Sequence, residues 1–290
     1  MSRMLTSTSR GRYVWPMMLL APAAIVIGFF FYTLSVMVLY SFRPNLGPTQ
    51  IGTGLTLANY ASFIGSPFYL NYLIRSLWIS ACCSAGTTIL GYLIAYAMYR
   101  SSPRARVIAS TTLIIQFFTA YVIRIYALML MIGKNGILNK ILLGTGLIER
   151  PLNLLFTETG VAIGMVLVSL PFMVFPIFNS LQAIPINLEM AATSLGAGRM
   201  RTFWEVIFPL TMPGIAAGVV IVFLFELTSY IVPGALGGGY FDMMANLIYA
   251  KAMQSFDYPF AAAAAMVMLI VSASGIYLLQ KTFRILMPHI

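Results

Sequence analysis

Six stretches of this sequence run for roughly 20 residues or more with almost no charge, the length a helix needs to cross a hydrocarbon core. They cover about 16–42, 73–99, 107–132, 160–181, 206–232 and 260–279. Soluble domains carry roughly 25% charged residues, whereas this chain carries 8%, with 60% hydrophobic. Apolar runs this long exceed the roughly ten residues of a membrane-spanning strand, so they cross as helices with every backbone group satisfied internally. The expected fold class is all-α, a polytopic membrane protein of six transmembrane helices. The first run is too long for the apolar region of a cleaved signal and leads into no soluble domain, so it reads as a retained first helix.

The 17 Lys and Arg against 7 Asp and Glu would suit a nucleic-acid binder, but their positions do not. Most basic residues fall in the short gaps between apolar runs, where they set membrane orientation. Arg3, Arg10 and Arg12, then Arg100, Arg104 and Arg106, then Arg199 and Arg201, then Lys281 and Arg284 all fall on one side. The other side holds Arg43, Arg75, Lys134, Lys140, Arg150 and Lys251, offset by Glu149, Glu158, Asp242 and Asp257. The richer side is expected to be the cytoplasm of a bacterial inner membrane, with both termini there. The division that follows is a cytoplasmic N-terminus (1–15), a first span (16–42), an outer loop (43–72), a five-helix core (73–281) and a cytoplasmic C-terminus (282–290). The outward segments 43–72, 133–159 and 233–259 contain turn-forming Gly, Pro and Asn. Leu138, Ile141 and Leu142 suggest short interfacial helices within them.

Nothing here points to an enzyme. Cys82 and Cys83 are adjacent, a spacing that suits neither a disulfide nor a metal site, and read as small packing residues. His289, the one histidine, is next to last. The sequence holds no HExxH, GxGxxG, Walker A or GxSxG pattern, and no cofactor or metal is expected in this chain.

The gap between the fourth and fifth runs is the most informative segment. From Asn187 to Leu195 it has the pattern of a short helix, with Asn187 as its cap and Glu189 in the first turn, where the dipole favours an anion. Ala191 and Ala192 leave room for a close surface. Gly196 ends the helix, and a second begins near Arg199. The product is a helix–turn–helix elbow just under the membrane.

Residues 185–215 resemble the cytoplasmic loop of ABC importer permeases, in which E-A-A-x-x-x-G is followed by a proline-containing stretch. Ala191, Ala192, Leu195, Gly196 and Ala197 match, as do Phe203, Val206, Pro209, Leu210, Pro213, Gly214 and Ile215. The pattern places Glu directly before the two alanines, where this chain has Met190; Glu189 stands one residue earlier. The resemblance implies a type I ABC importer permease fold and a coupling loop, 184–205, that docks on a separate ATPase. Glu189, Ala191, Ala192, Leu195, Gly196, Ala197 and Arg199 would form the coupling surface. ATP and Mg would then belong to that partner chain. The implied partners are two ATPase subunits, a second homologous permease, a periplasmic binding protein and the bilayer, with no nucleic acid.

The segments 121–126, 134–139, 170–176 and 233–239 are similar to those of spermidine/putrescine importer permeases. That resemblance implies a small cationic solute; permeases for opines, other amines, amino-acid-like solutes or ferric iron share much of the pattern. Two charges lie inside spans. Arg124 is about 17 residues into the third run and Glu226 about 20 into the fifth, so at 1.5 Å per residue they reach similar depth. Intramembrane charges usually face a bundle interior or a wet cavity. Either the two pair, or Glu226 meets the solute, with Tyr121, Tyr126 and Tyr230 beside the path to attract a cation. Gly214 and Gly218 read as a close helix contact. A secondary transporter is the rival class, but the elbow has no role in that scheme.

Overall fold

The structure is a computed structural model that describes residues 11–47 and 49–286. The expectations placed on Arg3, Arg10 and His289 fall outside them. The elements are α1 (Gly11–Ser41), strands β1 (Asn45–Gly47) and β2 (Gln50–Ile51), α2 (Ala58–Gly65), α3 (Pro67–Arg100), α4 (Pro103–Phe118) and α5 (Tyr121–Ile132). They continue with α6 (Ile137–Gly144), α7 (Glu158–Gln182), α8 (Ile186–Ser194), α9 (Arg199–Thr202) and a π turn (Phe203–Ile207). The chain closes with α10 (Phe208–Leu227), α11 (Ile231–Gly237), α12 (Met244–Tyr249), a second π turn (Ala250–Gln254) and α13 (Tyr258–Leu286). Six of the helical stretches are long and apolar enough to cross a membrane.

α3, α7 and α10 pack against one another as the centre of the bundle. Of the apolar window on α7, 61% is buried, against 0% of that on α1, so α7 is the hub and α1 a peripheral helix leaning on α13. The hub closes tightly where side chains vanish. A Cβ on Gly218 would lie 2.6 Å from Met173 Sδ, and one on Gly214 2.5 Å from the Pro176 carbonyl. The close contact expected of this glycine pair is therefore between α10 and α7. One apolar cluster fills the half of the hub nearer α8, around Met173, Ile177, Leu181 and Ile207. A second fills the other half, around Val161, Met165, Val168 and Leu236.

The third span departs from expectation. The sequence suggests one helix over 107–132, but the chain breaks at Thr119 and Ala120, both in extended backbone, between α4 and α5. Hydropathy alone places the span at Tyr121–Gly144. The contacts place it on α4 plus α5: α4 starts beside the end of α3, and α5 reaches α11 beyond the end of α10. α4 alone, at about 24 Å, is too short to cross. The fifth run also stops early, at Leu227, with Ile231–Gly237 forming the separate α11.

At the end of the bundle away from α8, the loops are built. α2, α6, α11 and α12 are the short helices anticipated there, joined by an unanticipated two-strand hairpin. Asn139 is fully buried; its amide donates to the carbonyls of Gly133 and Leu152 and its oxygen accepts from Leu152 N at 2.8 Å. One side chain thus folds the segment from 133 to 152 on itself.

Candidate coupling and translocation site

The elbow forms as expected, with one correction. α8 begins at Ile186, its N-cap is Pro185 and no side chain caps it; Asn187 lies inside the first turn. The backbone closes the first turn instead, Leu188 N donating to the Pro185 carbonyl at 3.0 Å. At the far end Leu195 N bonds Ala191 O, and Ala197 N bonds Ala192 O at 3.0 Å. Between them Gly196 sits at φ +84°, the left-handed closing residue that glycine supplies without a Cβ penalty. α9 then starts at Arg199, as anticipated.

α8 buries none of its residues. Ala192 and Ala197 are half-buried, while Ala191, Leu195 and Arg199 are exposed. Leu195 is 89% exposed, and Ile186, Met190, Met200 and Trp204 also stand open. An apolar set of this size needs cover, from lipid or from a partner. Glu189 does not face outward. Its Oε2 lies 2.9 Å from Arg100 Nη1, and its Oε1 accepts from Tyr99 OH at 2.9 Å. The π turn after α9 is joined to α3 by aromatic edges, Phe203 against Tyr96 at 5.1 Å between centroids.

Inside the bundle, Arg124 and Glu226 do not pair. Arg124 Nη2 donates to Thr119 O at 3.0 Å and to Phe117 O at 3.5 Å; Nη1 donates to Val168 O on α7. The guanidinium caps the last carbonyls of α4 at the break, where the helix dipole favours a cation. It also lies 5.8 Å from the Tyr121 ring centroid. Glu226 is 1% exposed. Its Oε1 accepts from Ser169 Oγ at 2.8 Å and from Thr87 Oγ1 at 3.3 Å, while Oε2 has no protein partner. Glu226 therefore ties α10 to α7 and α3 and lines no open path. Neighbouring helices supply hydroxyls at this depth because the alternative is an unsatisfied carboxyl in hydrocarbon.

The tyrosines divide. Tyr121 OH lies 3.4 Å from Ser229 Oγ. Tyr121, Ser229 and Glu226 border one crevice with no room for a water molecule. Tyr126 is exposed on α5. Tyr230, 45% exposed, stacks on Tyr249 with centroids 5.5 Å apart and planes 19° apart. Asn246 fixes this pair by donating to Tyr230 O at 2.8 Å. In the loop between α11 and α12, burial raises the Asp242 carboxyl above its ordinary value, and Arg75 pulls the other way. Thr87, Ser169, Ser229 and Tyr99 were not singled out in the sequence, and Arg100 only as an orienting charge. The available signal was hydroxyls spaced within the apolar runs and a lone arginine closing the second run. Among the described residues no His, Cys, Asp and Glu cluster could hold a metal ion, and both cysteines are unpaired, Cys83 buried and Cys82 exposed.

Residues 87–283 match the family described as binding-protein-dependent transport system inner membrane component. The chain is 34% identical over 263 residues to the spermidine/putrescine transport system permease protein PotB of Salmonella typhimurium strain SL1344, covering 86% of this chain and 91% of that one. It is 33% identical over 262 residues to PotB of Escherichia coli K12, covering 86% and 94%. The fold is similar to a chain of the bacterial alginate ABC transporter solved with its alginate-bound periplasmic protein, with a TM-score of 0.77, 17% identity and 96% of each chain covered.

Proposed function

The chain belongs to the family of binding-protein-dependent transport system inner membrane components, and from that premise we propose that it is one permease subunit of an ATP-driven polyamine importer. The observation that carries the solute is identity to spermidine/putrescine permeases over nearly the whole of both chains. Coupling to a separate ATPase is supported by the elbow, whose α8 buries nothing and whose exposed apolar residues need a partner. In this reading a second homologous permease completes the path, two ATPase subunits sit beneath the elbows and a periplasmic binding protein delivers the solute. Six crossings bring the chain back to the side it started from, and the basic gaps put both termini in the cytoplasm. Nucleotide and Mg act on the partner ATPase. The coupling surface is Ala191, Ala192, Leu195, Gly196, Ala197 and Arg199.

On the solute's side, the Tyr230–Tyr249 stack offers exposed π faces at the end opposite the elbow, chemistry suited to an ammonium. Glu226, Arg124 and Tyr121 hold the helices that frame the path. The test is uptake of radiolabelled spermidine and putrescine into proteoliposomes holding the full complex, with binding protein outside and ATP inside. ATP-dependent polyamine accumulation is expected. Accumulation of ferric iron or an opine, with polyamine excluded, would refute the solute assignment.

A further inference from the structure

An elbow that transmits motion must be held in a defined orientation, yet α8 buries none of its own side chains. Its polar tie runs through Glu189. Both carboxylate oxygens are engaged by different donors, Arg100 Nη1 and Tyr99 OH, each at 2.9 Å. Arg100 is itself fixed: its Nε donates to Tyr96 OH at 3.1 Å, and its guanidinium lies 5.3 Å from the centroids of both Tyr96 and Tyr99. The helix end that carries Arg100 is secured in turn by Arg106 of α4, which donates to Met98 O and to Tyr99 O. The end of α3, the start of α4 and α8 therefore form one polar corner.

Register explains why the carboxylate points inward. In the loop pattern that this segment resembles, Glu occupies the position of Met190. Moving it one residue earlier turns it roughly 100° about the helix axis. The uncharged Met190 is left 61% exposed, and the side chain of Glu189 is only 16% exposed, against Arg100.

We propose that Arg100 and Tyr99 are positioning residues that lock the coupling elbow to the end of α3 through Glu189, so that α8 and the α3–α4 corner move as one body. The inference rests on the importer reading given above. Force applied to α8 then enters α3, the helix whose Thr87 reaches Glu226 at the centre of the hub. Elbow motion is delivered to the middle of the bundle through α3 as well as through the covalent path into α10.

The experiment uses the complete complex in liposomes with nitroxide labels at Ser194→Cys on α8 and Ala105→Cys on α4, after Cys82 and Cys83 are changed to serine. Arg100→Glu is expected to broaden the label-to-label distance distribution and to lower polyamine imported per ATP hydrolysed about fivefold, the scale of a part-exposed charged hydrogen-bond pair. The exchange Arg100→Glu with Glu189→Arg is expected to restore both. A distribution as narrow as the parent's in Arg100→Glu, or an exchange variant that stays uncoupled, overturns the proposal. Should the reversal block assembly, Arg100→Gln, which removes the guanidinium without introducing a negative charge, is read by the same two measurements. A parent complex that hydrolyses ATP and imports no polyamine defeats the polyamine reading instead, and the distance measurement still decides the lock.

Discussion

Ser169 on α7 donates to Glu226 on α10 at 2.8 Å, deep in the bundle, and Thr87 on α3 donates to the same oxygen at 3.3 Å. One carboxyl thus joins the three helices of the hub. Arg124 contributes nothing to this knot: its Nη1 and Nη2 donate to the carbonyls of Phe117, Thr119 and Val168, and its buried Nε has no protein partner.

Glu226→Gln should therefore leave the bundle standing, since an amide oxygen accepts the same two hydroxyls. The expected change is within about 1 kcal/mol, the scale measured for interhelical hydrogen bonds in lipid. Combined with Arg124→Gln, the two effects should add to within about 0.5 kcal/mol, as for residues that share no partner. Thermal unfolding of the four variants in nanodiscs measures this; a coupling of several kcal/mol would mean that the two charges do act as a pair.

Arg124→Leu should fray the end of α4. The lost charge–dipole and hydrogen-bond stabilisation is about 1–2 kcal/mol in a partly buried setting. Hydrogen exchange should speed up at amides near Thr119 while those of α7 stay protected. Arg124→Lys should recover part of the protection, because a cation remains but the fork to two carbonyls does not.

The glycines of α10 should differ in tolerance. At Gly218 the added methyl meets the flexible end of Met173, whereas at Gly214 it meets the Pro176 carbonyl, which is backbone. Gly218→Ala should cost about 1 kcal/mol and Gly214→Ala more, toward 3 kcal/mol, the range for overpacked contacts. Melting temperatures of the purified subunit pair rank the two; the reverse order would show that α7 yields at Pro176.

At Gly196 the difficulty is conformational, because a Cβ there meets nothing within 4 Å while φ is +84°. Gly196→Asn should retain substrate-stimulated ATP hydrolysis in the complex, and Gly196→Val should lose most of it. The left-handed region costs a β-branched residue about 1–2 kcal/mol, which asparagine largely escapes. Equal activity in the two variants would mean that the turn is free to change shape.

Much of this molecule is legible in one dimension. The length of the apolar runs dictates helices across a bilayer, because nothing else satisfies a backbone there. Gly196 announces the turn of the elbow, and the Gly214–Gly218 pair announces a tight crossing. Leu138, Ile141 and Leu142 announce α6. These features are local: each depends on residues within a few positions of one another.

Partner choice was left to the tertiary structure. Thr119 and Ala120 carry no proline or glycine, so the break between α4 and α5 leaves no mark on the apolar run, and Arg124 answers it with backbone partners that composition cannot reveal. Equal depth made Arg124 and Glu226 plausible partners, but depth does not fix which way a helix is turned about its axis. Packing of α3, α7 and α10 turned Glu226 toward Ser169 and Thr87, residues 57 and 139 positions away. In the same way the sequence marks Glu189 as out of register with the loop pattern, while only the folded corner brings Arg100 and Tyr99 across to meet it. Periodicity and length are properties of the chain; the rotation of one helix against another is set by how their side chains interlock, and that exists only once they have packed.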